Sequence, residues 1–286
     1  MKRINQKIYA VIICYNAEYS LLCETISSIS DQVDSVIIVN NDSFQYDFSA
    51  FSKIKNIVLN NNFGIAYAQN VGIRKAIENG ADYVLLSDQD TIYPKDYINQ
   101  FLPYLMENMA QLYCPIFFDN IKNVYSPIMI KKFKSVPFVK EPTFVQHAIA
   151  SGSIIDVSCL GNVGLMDENL FIDYVDFEFC WRLTNFGYKI LTIPSIVINH
   201  QLGDGTKKIL NRQVTLRSDI RYFYILRNGF YLGFYCKYLS IAEKISLLKR
   251  TISFSCGILL LKHNLKSLKL VFSAFFAGIT KKLGKK

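Results

Sequence analysis

Residues 8–40 have the sequence IYAVIICYNAEYSLLCETISSISDQVDSVIIVN. At its two ends, Ile8–Cys14 and Ser35–Asn40 are short apolar runs rich in β-branched residues, which is typical of parallel strands buried on both faces. Between them, Tyr19–Ile29 has the apolar spacing of a helix. A strand, a helix and a second strand in this order predict a βαβ unit, from which doubly wound sheets are built.

The alternation of strands and helices continues beyond residue 40. Asn56–Leu59 and Tyr83–Leu86 are further apolar runs, and Ile65–Asn79 is a helical stretch that ends at Gly80. Val175–Phe186 predicts another helix. We therefore expect an α/β fold with a mostly parallel sheet flanked by helices. Two further predicted strands are Lys189–Ile193 and Ile196–Asn199.

The composition indicates a folded protein whose charge is unevenly distributed. Hydrophobic residues make up 51% and aromatic residues 14% of the 286 residues, which excludes a disordered chain. The net charge of +9 is concentrated at the end of the chain: from Lys237 onward, eleven Lys and Arg accompany one acid, Glu243. This tail carries +10, and residues 1–236 sum to −1. Because the basic residues do not cover a sheet or groove, no nucleic-acid partner is expected.

Polar residues follow four of the predicted strands. These strand ends are Tyr15-Asn16, Asn40–Asp42, Asn60–Asn62 and Asp88–Asp90. Ligands of doubly wound sheets bind beyond the carboxyl ends of the strands, so the polar ends predict a binding site. The two acids of the last one are two residues apart and can face one side of an extended segment. Such a pair is often a solvated turn, but in this context it predicts a site for Mg²⁺ or Mn²⁺ shared with substrate phosphates.

A second acidic cluster lies at residues 173–178. Asp173, Asp176 and Glu178 surround the predicted start of a helix, where acids commonly complement the helix dipole. Aromatic residues accompany them, and an apolar surround can raise the pKa of a carboxyl towards the value that a general base needs. The cluster therefore predicts either an ordinary helix start or a general base. The aromatic residues are Phe171, Phe177, Phe179 and Trp181.

In their order and spacing, these segments resemble the family 2 glycosyltransferases of GT-A fold, and within them the bacterial rhamnosyltransferase-like branch. The resemblance covers about residues 8–230. It implies a Rossmann-like GT-A sheet, an enzyme that takes a sugar from a nucleotide-sugar donor, and Mg²⁺ or Mn²⁺ as cofactor. Besides the strand ends, the matching segments are NNFGIAYAQNVGI (61–73), ADYVLLSDQD (81–90), SGS (151–153), FIDYVD (171–176), CWR (180–182), HQLG (200–203) and RYFYILRN (221–228).

The resemblance also implies roles for single residues. Asp176 takes the position of the general base, and Glu178 that of a second acid after it. Asp88, Gln89 and Asp90 form the metal and nucleotide-sugar motif, with His200 as a further metal ligand. The implied nucleotide-binding residues are Tyr15, Asn16, Asn40, Asp42 and Asn70. Candidate diphosphate clamps are Arg217, Arg221 and Arg227, for which lipid or surface contact is an equal alternative.

Three positions bear on the donor. Gln69 and Gln89 fit the rhamnosyltransferase-like branch and imply dTDP-L-rhamnose. Family members commonly carry Asp where Asn40 stands, although an amide can also hydrogen-bond a pyrimidine edge. The expected reaction is an inverting transfer of L-rhamnose onto a polyprenyl-diphosphate-linked saccharide in bacterial O-antigen or capsule synthesis. The alternatives are a UDP-hexose donor such as UDP-galactose or UDP-glucose, and an inactive nucleotide-binding or membrane-scaffold protein.

The basic tail predicts two amphipathic helices. Apolar residues recur at helical spacing from Tyr238 to Leu259 and from Leu265 to Leu283, with Lys and Arg beside each stripe. We therefore predict a glycosyltransferase domain over residues 1–236 and a tail over residues 237–286 that binds an anionic membrane surface. For the first helix, packing on the body is an equal alternative, whereas the second has no evident surface to pack on.

The seven cysteines indicate the compartment. They are scattered and form no CxxC pair, which indicates reduced thiols rather than disulfides or a zinc site. No uncharged apolar run reaches the roughly 18 residues that a spanning helix needs, and no signal-peptide pattern is found. The expected location is therefore the cytoplasmic face of the bacterial inner membrane.

Overall fold

The computed structural model describes residues 6–119, 123–200, 206–209, 212–215 and 217–286, with the backbone alone for residues 200, 206–209 and 212–215. The strands are β1 Ile8–Cys14, β2 Ser35–Asn40, β3 Ile54–Val58, β4 Tyr83–Asp88, β5 Leu112–Asp119, β6 Val124–Tyr125, β7 Ile128–Lys131, β8 Lys134–Val136, β9 Thr143–Val145, β10 Ile154–Asp156, β11 Ile190–His200, β12 Thr206–Ile209 and β13 Arg212–Thr215. The helices are α1 Tyr19–Ile29, α2 Ile65–Glu78, α3 Tyr97–Met106, α4 Leu160–Val163, α5 Val175–Asn185, α6 Asp219–Tyr235, α7 Ile241–Lys262 and α8 Leu265–Ile279.

The main sheet is mixed and mostly parallel, which confirms the predicted fold class. Its strand order is β3-β2-β1-β4-β10-β5-β11-β9. Neighbours among β1 to β4 pair in parallel, as do β5 and β11, whereas β10 lies antiparallel between β4 and β5. Every residue of β1 and β2 is buried because helices cover both faces of the sheet, which explains their uninterrupted apolar sequences.

Two apolar layers lie on opposite faces of this sheet. On one face, Leu22 and Ile26 of α1 and Phe101 of α3 pack with β1 and β4. On the other face, Ile73 of α2 and Trp181 of α5 pack with alternate residues of the same strands. This alternation is the period of two expected for a strand that is buried on both sides.

Several element boundaries differ from the predictions. The two strands predicted around residues 189–199 are one strand, β11, which continues past Pro194 with a register shift between Thr192 and Val197. Proline removes a ladder hydrogen bond, so the strand accommodates it at this irregularity. Helix α3 was not predicted, because Pro103 and the polar residues in it obscure its apolar stripe.

The parallel register brings the predicted strand ends to one edge. Cys14 at the end of β1 pairs with Asn40 of β2, and the preceding residue, Ile13, pairs with Asp88 of β4. The polar residues after these strands therefore share the carboxyl edge of the sheet. This is the edge where ligands of such sheets bind.

The basic tail packs on the body through helix α6. Both α7 and α8 contact α6, and Phe230 of α6, Ile258 of α7 and Ala274 of α8 belong to one buried apolar cluster. The expectation that α8 has no surface to pack on is therefore wrong. The predicted boundary between residues 236 and 237 stays a prediction, although helices on its two sides pack together.

The apolar stripes of the tail nevertheless remain exposed. The buried positions of α8 are small residues, Ser267, Ala274 and Gly278, which allow a close approach to α6. None of the helices among the described residues is both long and apolar enough to span a membrane. The exposed large side chains of the tail are Ile241, Ile245, Ile252, Leu260, Leu265, Leu268, Phe272 and Phe276.

Candidate active site

The predicted nucleotide-binding residues of β1 and β2 lie together at the carboxyl edge. Asp42 accepts hydrogen bonds from the backbone N–H of Asn16 at 2.7 Å and of Phe44 at 2.6 Å. Asn40 is fully buried, and its amide oxygen accepts from the Asp42 N–H at 3.2 Å while its NH₂ donates to the Phe44 carbonyl. Asn40 and Asp42 therefore stabilise the turn that shapes this edge, and Tyr15 remains exposed beside them.

The Asp88–Asp90 turn is anchored on two sides. Gln89 accepts a hydrogen bond from the backbone N–H of Tyr15 at 2.7 Å, which ties the turn to the end of β1. On the other side, the Ser151 hydroxyl accepts from the Asp88 N–H at 2.9 Å. The side chain of Gln89 is thus used in fixing the turn, and the two carboxylates are left for other partners.

Carboxylates from both halves of the chain converge at this turn. Burial and the negative charges of Asp90 and Asp176 raise the pKa of Asp88 to about 7, and Arg221 opposes that rise. The predicted metal motif, the predicted base and one predicted clamp therefore lie within electrostatic range of one another. The repulsion between these carboxylates would be offset by a bound cation or by a proton.

The loop before α5 places Asp176 by means of an unusual backbone. Phe171, Asp173 and Tyr174 have φ values of 64°, 63° and 66°, a region that costs non-glycine residues of order 1–3 kcal/mol each. Asn228 of α6 holds this loop, because its NH₂ donates to the carbonyls of residues 170, 172 and 173 at 2.8–2.9 Å. A strained loop of this kind persists only where surrounding contacts enforce it.

Arg221 lies in front of this loop. Its guanidinium donates to Asp173 Oδ1 at 2.6 Å and to Oδ2 at 3.3 Å, and its side chain is 40% exposed. A half-exposed cation next to the acids is where a diphosphate clamp is needed. Its predicted contact with a diphosphate stays a prediction that this position supports.

Gly64 lies where the loop before α5 meets the start of α2. The N–H of Ile65, the first residue of α2, donates to the Phe171 carbonyl at 2.7 Å, and a Cβ on Gly64 would lie 2.6 Å from that same oxygen. Gly64 also has a φ of +90°. Both the conformation and the close approach require glycine here.

Two predicted binding residues are committed to the scaffold instead. Arg227 is 1% exposed and donates to the backbone carbonyls of Leu170 and Gly284. Burial lowers its pKa to about 10. Asn70 is equally buried, and its amide bonds the backbone of Met166 and the Glu168 carboxylate. The predicted diphosphate contact of Arg227 and the predicted approach of Asn70 to the ribose or diphosphate stay predictions, which these buried and internally bonded side chains do not support.

Glu178 is also directed away from the site. It forms a bidentate ion pair with Arg182, at 2.9 and 2.8 Å, and both residues are buried. The second acid of the motif therefore stabilises α5 and its contact with residues 163–165, to whose carbonyls Arg182 also donates. Residues 176 and 178 lie on different faces of the helix, which explains why only Asp176 reaches the other acids.

The carboxylates of the Asp88–Asp90 turn fit a divalent cation that is shared with a substrate. Asp88 and Asp90 offer hard oxygen ligands. Burial raises the pKa of Asp88, the negative charges of Asp90 and Asp176 add to the rise, and a cation would offset that charge. Across the described residues, no group of three or more His, Cys, Asp or Glu is arranged to enclose a metal without such help. The side chain of His200 and residues 201–203 lie outside the described part, so the ligand prediction for His200 stays open; its backbone pairs with Asp119 at the end of β5.

Two residues at this site have no signal in the local sequence. His147 is one of them, and its Nε2 atom lies 3.4 Å from Asp176 Oδ2. It also lines a small pocket with Phe117, Pro127 and Met129. Asn228 is the second: it ends the segment RYFYILRN (221–228), and it holds the loop before α5. Both contacts are long-range, so no local pattern could reveal them.

Comparisons with known proteins agree with this architecture. The model of the family "Glycosyl transferase family 2" matches residues 9–160. A curated relative, "dTDP-rhamnosyl transferase RfbF" of Shigella flexneri, is 36% identical over 243 residues, which cover 80% of each chain.

Solved structures show the same fold at low identity. TarS 1-349 of S. aureus superposes with a TM-score of 0.63 at 15% identity, over 97% of this chain and 82% of that one. GalNAc-T7 with UDP, GalNAc and Mn²⁺ has a TM-score of 0.57 at 14% identity, over 86% of this chain, which spans 54% of that protein. With the family match and the close relative, these likenesses confirm the GT-A fold. The chain belongs to glycosyl transferase family 2.

Proposed function

We propose that the protein is an inverting rhamnosyltransferase that moves L-rhamnose from dTDP-L-rhamnose onto a lipid-linked saccharide in bacterial O-antigen or capsule synthesis. The observation that supports this best is the convergence of Asp88, Asp90, Asp176 and Arg221 at one edge of the sheet. That arrangement offers a base on one side of a reacting sugar and a place for a charged diphosphate on the other.

The proposed reaction is a single displacement. Asp176 accepts the proton of an acceptor hydroxyl, whose oxygen attacks the anomeric carbon of the donor. The bond between this carbon and the diphosphate oxygen breaks, and dTDP leaves with the electron pair. Because attack and departure take place on opposite faces of the sugar, the configuration at the anomeric carbon inverts.

Charge stabilisation of the departing diphosphate comes from the other half of the site. Asp88 and Asp90 would hold Mg²⁺ or Mn²⁺, which would offset the negative charge that grows on the diphosphate. Arg221 adds a second positive charge from the loop side. Tyr15, Asn16 and the 40–42 turn lie where the nucleoside of a donor would sit, beyond the ends of β1 and β2.

The choice of donor rests on the curated relative, which is named for dTDP-rhamnosyl transfer. Thermal unfolding with dTDP-L-rhamnose, UDP-glucose or UDP-galactose, each with Mn²⁺, tests it. We expect a clear rise in Tm and slow release of dTDP, with water as the acceptor, for the rhamnose donor alone. A response confined to the UDP-sugars would show that the donor is a UDP-hexose rather than dTDP-L-rhamnose. The absence of a response to all three would favour an inactive protein.

We also propose that α7 and α8 bind the cytoplasmic face of the inner membrane. Eight large apolar side chains of these helices stay exposed after packing on α6, among them Ile241 at 78% and Leu265 at 75%. The lysines of the +10 tail add attraction to an anionic leaflet of about 1 kcal/mol per charge near the surface, reduced by screening. A polyprenyl-diphosphate-linked acceptor would be reached from this surface.

Flotation of the full chain with phosphatidylglycerol-containing vesicles tests the membrane proposal. Deletion of residues 237–286 is unsuitable because it would uncover α6. The double variant Phe272→Ser and Phe276→Ser removes two exposed rings, and we expect at least about tenfold weaker binding. Phe144→Ser with Phe186→Ser is the matched control, with similar exposure elsewhere. Equal binding by both variants would contradict the proposal.

A further inference from the structure

His147 is held rigidly beside the proposed base. It follows β9, and its ring stacks on Phe177 of α5 with centroids 3.7 Å apart and an interplanar angle of 13°. The next residue, Ala148, donates its N–H to the Cys180 sulfur of the same helix at 3.4 Å. The side chain of His147 is 10% exposed. The imidazole therefore cannot turn away from α5 without losing its stacking.

The Nε2 atom of this ring is buried without a hydrogen-bond partner among the described residues. Buried polar nitrogens are nearly always paired in folded proteins, so an orphan of this kind needs an explanation. Asp176 Oδ2 lies 3.4 Å away, slightly beyond a good hydrogen bond. Catalytic hydrogen bonds are often long in the absence of substrate and shorten in the reacting complex.

The other oxygen of Asp176 is already engaged. Oδ1 accepts the backbone N–H of Phe177 at 2.9 Å. A donor at Oδ2 would then restrain the carboxylate at both oxygens and stop it from turning on its side-chain torsion. The second lone pair of Oδ2 would remain for the acceptor hydroxyl.

We propose that His147 is a positioning residue: its Nε2–H donates to Asp176 Oδ2 and holds the base in the orientation that receives the acceptor proton. This inference rests on the proposed function, because it takes Asp176 as the base. The ring is in the tautomer with the hydrogen on Nε2, which the contact with an acid requires.

Two substitutions separate hydrogen bonding from packing. His147→Phe keeps a ring that can stack on Phe177 but removes the donor. His147→Gln loses the stacking but places an N–H donor at a similar reach. The readout is kcat for dTDP release from dTDP-L-rhamnose with water as the acceptor, together with KM and thermal stability. We expect His147→Phe to lower kcat by about 10–100-fold with KM little changed, and His147→Gln to retain most of the activity.

The same variants in an Asp176→Asn background complete the experiment. If His147 acts through Asp176, His147→Phe lowers turnover no further there, because residues that act as a unit are not additive. A His147→Phe enzyme with wild-type kcat, or equal losses in the Phe and Gln variants, would overturn the inference. Failure of the proposed function has a different signature, since Asp176→Asn alone would then retain its turnover.

Discussion

The two acid-bearing segments of the site are held in different ways. The Asp88–Asp90 turn continues a central strand, and its position follows from the backbone pairing of β4 with β1. The loop before α5 has three non-glycine residues at positive φ and depends on side chains of α6 for its shape. The sheet therefore positions the half of the site that carries the proposed metal motif (the metal half), whereas long-range side-chain contacts position the half that carries the proposed base.

The largest expected effect is at the base. Asp176→Asn keeps the size of the side chain but removes its basicity, so turnover should fall by ~10²–10⁴-fold. Nucleotide binding should be unchanged, because the metal half of the site is intact. Isothermal calorimetry with dTDP beside single-turnover kinetics checks both expectations, and a parallel loss of nucleotide affinity would show that the two halves are not independent.

Two arginines of α6 are expected to have different roles, one in stability and one in nucleotide binding. Arg227→Met leaves the carbonyls of Leu170 and Gly284 without their donor, and should lower the free energy of unfolding by about 1–3 kcal/mol. Arg221→Met removes a half-exposed side chain and its ion pair with Asp173, and should lower stability by no more than about 1 kcal/mol while it weakens dTDP binding. Urea denaturation and calorimetry measure the two effects. If Arg221→Met were the more destabilising variant, the division of roles between them would be wrong.

The smallest expected effect is a pH dependence at the metal half. Asp88 has a pKa of about 7 in the folded protein and an ordinary value of 3.8, so the folded state holds its proton more tightly than the unfolded state. The metal-free protein should therefore lose stability as the pH rises from about 4 to about 7. Because the proposed Mn²⁺ site requires the ionised carboxylate, the stabilising effect of Mn²⁺ should grow over the upper part of this range.

Melting curves with and without Mn²⁺ at about pH 6 and about pH 8 measure this effect. The rise in Tm should be larger at the higher pH for the wild-type chain, and Asp88→Asn should remove the difference. Asp156→Asn is a control, since that acid lies at the other end of β10 and outside the site. An equal rise in Tm at both pH values in the wild type would contradict the prediction that Asp88 has a raised pKa and must lose its proton to bind Mn²⁺.

The sequence predicted the sheet half of the molecule better than the helical half. The bounds of β1, β2 and α1 were predicted correctly, because buried strands and their connecting helix leave local apolar patterns. Asp88, Asp90 and Asp176 also lie near one another, whereas Glu178 pairs with Arg182 instead. In contrast, nothing local distinguishes Arg221 from Arg227 on the same helix: one faces the acids and the other is buried against residues 170 and 284.

The same limit applies to the tail and to His147. Helical spacing predicted the apolar stripes of α7 and α8, but the buried positions of α8 are small residues such as Ala274 and Gly278, which a hydrophobic pattern does not reveal. His147 precedes Asp176 by almost thirty positions, and only the packing of residues 145–148 on α5 brings their side chains together.

The stereochemistry of transfer is the decisive test of a single displacement with Asp176 as the base. Proton NMR of the glycoside formed from dTDP-L-rhamnose and a simple alcohol reports the configuration at the anomeric carbon, and a glycoside does not mutarotate. A single displacement with Asp176 as base predicts the anomer opposite to that of the donor. A product that retains the configuration of the donor would contradict the account, because it would require two displacements.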